Sequence, residues 1–153
     1  MANSLPSLEL RAATEADLLL IEQWLVQNHL PTEDISQILA SLYLGTHQDT
    51  VVGIGGIERH GNDGLLRSVV IADAFRQQGY GQRLCDLMIQ KARAEGIQAV
   101  YLLTNTADTF FVRLGFEPIN RHSAPVTMQN TKEFSSLCPD SAVCMRLYLA
   151  DLT

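Results

Sequence analysis

Arg76-Gln77-Gln78-Gly79-Tyr80-Gly81 stands between an apolar run, Leu65 to Ile71, and a segment with helical periodicity, Gln82 to Glu95. Strand, Arg-x-x-Gly-x-Gly, helix is an arrangement in which a backbone builds a seat for a diphosphate. The glycines let the chain fold tightly enough for several N–H groups to converge. The helix start adds partial positive charge at the same point. Taken by itself, the motif also fits a glycine turn that merely packs a helix on its strand. The surrounding segments have to decide.

Downstream, Leu84, Leu87, Met88 and Ala92 recur at helical spacing, and Gly96 supplies a stop. Ala99 to Leu103 reads as a buried strand. Asn105 or Thr106 caps a short helix carrying Phe110, Phe111 and Leu114, which ends at Gly115. Phe116 to Ile119 is the next strand. Thr127 to Ser136 predicts another short helix, and Ala142 to Leu149 a closing strand.

Upstream, Leu8 to Arg11 alternates, and Thr14 with Asp17 predicts a helix start. Leu18, Ile21, Trp24 and Leu25 carry that helix to about Gln27. Thr32 caps a second one with Ile35, Ile38 and Leu39. Three strands follow: Leu42 to Leu44, Thr50 to Glu58 and Leu65 to Ile71. Residues His60 to Gly64 form a hairpin turn in which Asp63-Gly64 is the tight pair. Gly53, Gly55 and Gly56 inside the second strand signal a bulge, a close approach by a ligand, or simple sheet twist. The predicted class is α/β: one domain, residues 8–149, with a mixed sheet and helices on both faces.

A chain of 153 residues suits one domain with one core. Eleven Lys and Arg against 17 Asp and Glu give a net charge of −6, so no global field draws nucleic acid or anionic lipid. Neither partner is expected. No apolar run is long enough to span a bilayer, and no basic-then-apolar leader opens the chain, so a cytoplasmic location is expected. Cys85, Cys138 and Cys144 show no Cys-x-x-Cys spacing, which argues against a disulfide framework or a zinc site; no metal is expected.

The loop, the apolar strand before it, the strand Leu102-Leu103-Thr104-Asn105 after its helix, and Phe110-Phe111-Val112-Arg113-Leu114-Gly115-Phe116 together resemble the GNAT N-acetyltransferase superfamily over nearly the whole chain. The resemblance implies a sheet splayed at the cofactor slot and acetyl-CoA as co-substrate. It implies that Val69, Val70 and Ile71 pair with the pantetheine as a sheet edge pairs with a peptide. Arg76 begins the turn whose N–H groups, from Gln77, Gln78, Gly79, Tyr80, Gly81 and Gln82, hold the diphosphate. The N–H of Val70 then faces the thioester carbonyl, where it stabilises developing negative charge. Asn105 and Phe111 border the cofactor. Phe111 stands where many relatives have a tyrosine that protonates the leaving thiolate, and phenylalanine has no proton to give.

An attacking amine must lose a proton. Glu58, at the end of the strand beside the cofactor strand, is the candidate base, with His60 a weaker one. A solvated strand-end carboxylate is the plainer reading of Glu58. Arg67, Ser68 and Thr104 are candidate acceptor-binding residues: one of Arg67 and Ser68 faces the acceptor cleft, and a guanidinium there suits a carboxylate. An Arg paired across the sheet explains Arg67 equally well. The phrase Glu133-Phe134-Ser135-Ser136-Leu137-Cys138-Pro139 and its continuation to Met145 resemble small amino-acid acetyltransferases, both N-acetylglutamate-synthase-like and arsenic-resistance-associated. The implied acceptor is the α-amino group of glutamate or an analogue, arsenical and phosphinic ones included. Cys138 and Cys144 read as wall and core residues rather than as metal ligands. An acyl-CoA sensor without turnover, or a transferase acting on a protein N-terminus or an aminoglycoside, stays open. A homodimer is allowed for, with no interface identified.

Overall fold

The computed structural model describes residues 5–138 and 141–149. Seven strands form one sheet: β1 Glu9–Ala12, β2 Leu42–His47, β3 Thr50–His60, β4 Asp63–Ile71, β5 Ala99–Thr104, β6 Glu117–Ile119 and β7 Val143–Tyr148. Their order is β1-β2-β3-β4-β5-β7-β6, and β4–β5 is the parallel pair. The helices are α1 Leu18–Gln27, α2 Tyr80–Ala94, α3 Asp108–Arg113 and α4 Val126–Gln129, with a 3-10 segment Ile35–Ser41 and a π-helical turn Glu133–Leu137. Among the described residues no helix is long and apolar enough to cross a membrane.

Alternation along the strands sorts the core onto the two faces of the sheet. Val52, Leu66, Val100 and Leu102 pack against Leu84, Met88 and Phe111 of α2 and α3. Ile54 and Val70 pack on the opposite face against Ile21 and Leu25 of α1 and Ile35 of the 3-10 segment. On that same face Leu65, Tyr101 and Cys144 are covered by Met128 and Phe134.

The glycines of β3 answer the question they pose in the sequence. A Cβ on Gly55 would lie 2.6 Å from Met88 Cε, and one on Gly53 would lie 2.6 Å from Ile71 Cδ1 and 2.9 Å from the Val70 carbonyl oxygen. The close approach is made by the protein itself, by α2 and β4, rather than by a ligand. Gly55 also faces a bulge: Ile54 pairs with Val70 and Gly56 with Arg67, so one β3 residue stands opposite Ser68 and Val69. Ser68 takes φ 61°, the left-handed region that costs a β-carbon residue about 1 kcal/mol.

Three local readings change. The hairpin turn is Gly61-Asn62, with Gly61 at φ 65°, and Asp63-Gly64 already belongs to β4. The helix expected from Thr127 to Ser136 is broken into α4 and the π turn: the Thr131 hydroxyl donates to the Met128 carbonyl at 2.7 Å, closing the first piece. The turn before α3 is held by Thr104, whose Oγ1 accepts the Ala107 N–H at 3.0 Å, rather than by Asn105 or Thr106.

Gly53→Ala is expected to cost about 1–3 kcal/mol, because its new methyl meets main chain that has no room to move. Chemical denaturation checks this; a midpoint equal to that of the parent protein would contradict the packing described.

Candidate functional site

The slot begins where β4 and β5 stop pairing. Their register runs Asp63–Ala99, Gly64–Val100, Leu65–Tyr101 and goes no further, while β4 continues to Ile71 and β5 to Thr104. The far half of β4 therefore has a partner, β3, on one side only. Ala72 N–H donates to the Val52 carbonyl at 2.9 Å. Alternation in an antiparallel ladder then turns the N–H and C=O of Val70 toward β3, and the N–H and C=O of Ile71 and the C=O of Val69 toward the gap. The Val70 carbonyl beside Gly53 agrees, as does Arg76 Nε, which reaches the Ile71 carbonyl from the open side at 2.8 Å. The Val70 N–H, expected from the sequence to face the thioester, is turned toward its neighbour strand, and the open edge is formed by the Val69 carbonyl and by Ile71.

The loop beyond this edge has two residues in the left-handed region, Gln77 at φ 63° and Gly79 at φ 91°. Gly79 caps α2, and the first helical bond runs from Arg83 N–H to the Gly79 carbonyl at 3.0 Å. The amides of Tyr80, Gly81 and Gln82 lie ahead of that bond, in the turn where a helix has no acceptors of its own. A Cβ on Gly79 would come within 3.1 Å of Pro6, so the N-terminal segment supports the loop from below.

Three cavities meet here. A slot of about 470 Å³ runs between the splayed strands, bordered by Val69, Ile71, Gly81, Leu102, Phe110 and Phe111. A groove of about 310 Å³ opens toward the loop beside Trp24, Asp73 and Arg76. On the other flank a cavity of about 550 Å³ is bordered by Leu30, Glu33, Leu103, Asn105 and Cys138. Asn28, Leu30, Thr104 and Thr106 line both this cavity and the slot. Phe111 borders the slot with one edge and packs on Phe116 with another, ring centroids 5.6 Å apart.

Arg67 does not present the free guanidinium expected of it. Its side chain is 1% exposed and forms a fork with Asp34, Nη1 to Oδ2 at 2.6 Å and Nη2 to Oδ1 at 2.7 Å. Nη1 also reaches Glu58 at 2.8 Å, and Nε lies 3.1 Å from Ser68 Oγ and 3.4 Å from Glu133. Burial alone would lower its pKa, but Asp34, Glu133 and Glu58 together raise it, so the charge is permanent. The reading of an Arg paired across the sheet is the one the fold adopts. Glu58 divides its carboxylate between Arg67 and His60, whose Nε2 lies 3.0 Å from Oε1. It stands behind Arg67 and is absent from the residues that border the slot and the larger cavity. Asp34 and Glu133, which complete the cluster, carry no motif in the sequence. Only the rarity of a buried unpaired Arg on a central strand hints that such partners exist.

Burial pushes the Glu133 carboxyl up to about 7, and the Glu58 and Asp34 charges add to this against the pull of Arg67. Burial likewise raises the Cys85 and Cys138 thiols to about 12 and Cys144 to about 11. All three stay protonated at neutral pH, which leaves no thiolate to carry an acyl group. Among the described residues no group of three or more His, Cys, Asp or Glu is placed to hold a metal ion.

An open strand edge running into a helix-start amide cluster is the geometry that the loop motif anticipates. The acetyltransferase (GNAT) domain profile matches residues 39–118, just over half of the chain. The chain belongs to the GNAT acetyltransferase family. It is 28% identical over 140 residues to an amino-acid acetyltransferase of Mycobacterium tuberculosis, covering 89% of this chain and 73% of the relative. N-acetylglutamate synthase of Neisseria gonorrhoeae, complexed with coenzyme A and N-acetyl-glutamate, matches with a TM-score of 0.81 at 16% identity, over 97% of this chain and 36% of that one. This chain thus spans about a third of that enzyme's length. A Mycobacterium tuberculosis structure in complex with CoA and NLQ matches with a TM-score of 0.78 at 23% identity, over 93% of this chain and 99% of that one. At these identities the structural likeness is one of fold.

The family's donor is acetyl-CoA, and the residues present fit it. The outward amide and carbonyl of Ile71 and the outward carbonyl of Val69 suit the pantetheine arm. The amides from Tyr80 to Gln82 suit the diphosphate.

Because the folded-state pKa of Glu133 lies above its unfolded value, its contribution to stability is complete below about pH 4.5 and is lost as pH rises through about 7. The melting temperature is expected to fall over that interval, and Glu133→Gln to flatten the fall. Arg67→Ala, which strands the buried carboxylates of Asp34 and Glu133 and the part-buried one of Glu58, is expected to cost about 3–5 kcal/mol. A melting curve within about 0.5 kcal/mol of the parent, the range of ordinary surface changes, would remove Arg67 from its place at the hub.

Proposed function

We propose that the chain transfers an acetyl group from acetyl-CoA to the α-amino group of a small amino acid by direct attack. The observation that carries this is the unpaired edge of β4, which ends at the α2 amides on one side and opens onto a second cavity on the other. In this reading the amide of Val69 stands nearest the reacting carbonyl, between the bulge and the pantetheine-pairing Ile71. A backbone donor fixed there strengthens as negative charge grows on the oxygen, an effect commonly worth a few kcal/mol. The amino-acid acetyltransferase relative supports an amino acid as acceptor.

Proton removal falls to the carboxylates grouped around Arg67. Glu58 keeps its candidacy as an indirect acceptor, reached through water, with Arg67 holding its carboxylate in place. Glu133, held near 7, has a basicity matched to a proton acceptor at neutral pH. With Phe111 at the position of the usual acid, the leaving thiolate takes its proton from solvent or from the Thr104 hydroxyl, whose oxygen already accepts the Ala107 N–H and whose hydrogen points elsewhere.

Glutamate or a glutamate analogue, arsenical or phosphinic, is the acceptor that the sequence resemblance favours. The pairing of Arg67 favours a second reading, in which the acceptor side chain is neutral. The guanidinium already holds three carboxylates, and Glu33 borders the acceptor cavity. An acceptor panel with acetyl-CoA separates the two: glutamate, aspartate, glutamine, methionine, methionine sulfoximine, phosphinothricin and an arsenical glutamate analogue. Thiol release with at least one α-amino acid is expected. Coenzyme A binding without release on any of them would turn the protein into an acyl-CoA sensor. Glu58→Gln is expected to lower kcat about 10²-fold or more while leaving coenzyme A affinity intact; a loss below threefold would exclude it from proton transfer.

A further inference from the structure

Asn28 is the residue common to the slot, the loop-side groove and the acceptor-side cavity. It caps the end of α1, donating through Nδ2 to the Trp24 carbonyl at 2.8 Å. The chain then turns sharply through His29 at φ 59° and brings Leu30 to both the slot and the acceptor cavity. Asn28 Oδ1 accepts Arg76 Nη2 at 2.9 Å. The same guanidinium donates through Nε to the Ile71 carbonyl at 2.8 Å and pairs through Nη1 with Asp73 at 3.0 Å. Its side chain is 46% exposed, so this bridge is not a buried structural tie. It lies across the mouth of the slot.

Resting on the acetyl-donor reading of the slot, we propose that Asn28 and Arg76 form a latch that the donor opens, and that opening it frees Asn28 to position the acceptor. A pantetheine arm laid along β4 needs the outward carbonyl of Ile71, as any added strand needs the edge it joins. Arg76 Nε holds that carbonyl. A diphosphate at the amides of Tyr80 to Gln82, a few residues further along the chain, offers the guanidinium a stronger, charge-assisted partner. Arg76 then exchanges a carbonyl oxygen and an amide oxygen for phosphate oxygens. Asn28 Oδ1 loses its donor while bordering the acceptor cavity, and an N–H of the incoming amine restores it. The acceptor site is complete only after the donor has entered.

The latch gives Arg76 two opposed effects, which a ligand without a diphosphate separates. Pantetheine and coenzyme A are titrated against the full chain by calorimetry. Arg76→Ala is expected to bind pantetheine about threefold or more tightly than the parent, and coenzyme A about tenfold more weakly. Asn28→Ala, which loosens the latch and leaves Arg76 in place, is expected to tighten both ligands about threefold. In turnover with the best acceptor of the panel, Asn28→Ala is expected to raise the acceptor KM about tenfold with kcat within threefold. Weakening of both ligands together by Arg76→Ala, or unchanged affinities in Asn28→Ala, would overturn the latch. An unchanged acceptor KM would overturn the positioning role. If the parent protein bound neither ligand, the donor-slot reading itself would fall, a result distinct from either.

Discussion

The parting of β4 from β5 after Leu65 is the constraint from which the rest follows. A sheet that kept its ladder to the end would satisfy every amide of β4 and leave no edge for a ligand. The bulge at Ser68 prevents this. One extra residue opposite Gly55 bends β4, shifts its phase, and turns the carbonyl and amide of Ile71 into the gap. The cost of the left-handed Ser68 is offset by its hydroxyl, which accepts from Arg67 at 3.1 Å. Gly53 and Gly55 let β3 and α2 close behind the bulge, so the distortion is supported on the side away from the slot.

Arg67 performs a second structural task. Asp34 precedes the 3-10 segment, Glu58 lies two residues before the end of β3, and Glu133 starts the π turn; all three converge on one guanidinium. Two covering segments far apart in sequence are thereby tied to the sheet, and residues next to both, Glu33 and Cys138, border the cavity of about 550 Å³. Burial, with the Glu58 and Asp34 charges adding to it, drives the Glu133 carboxyl toward neutrality, which lowers the desolvation penalty of the cluster. Of this cluster, Arg67 itself borders the slot.

The protonated thiols narrow the chemistry further. With Cys85, Cys138 and Cys144 all held in the neutral form by burial, none of the three cysteines offers a thiolate at neutral pH. Cys138, which the sequence suggests as a wall residue, borders the acceptor cavity, and Cys144 lies in the core.

Local chemistry made much of this visible in the linear chain. Strand, glycine loop and helix announce themselves by periodicity and by Gly79 and Gly96, because those features depend on neighbouring residues alone. The element order and the glycine loop that opens α2 follow from them. Side-chain partners across the fold do not. Asp34, Glu133 and Asn28 have no motif, since their roles come from where distant segments meet, and Arg67 could be read as ligand or as hub until those segments were placed. The direction of a backbone amide is similarly out of reach: one bulged residue reverses the phase of β4, so the Val69 carbonyl rather than the Val70 N–H faces the gap. Sequence determined which segments build the site, and tertiary structure decided which atoms point into it, because pairing register and charge neutralisation are settled only when the strands and their covering segments pack together.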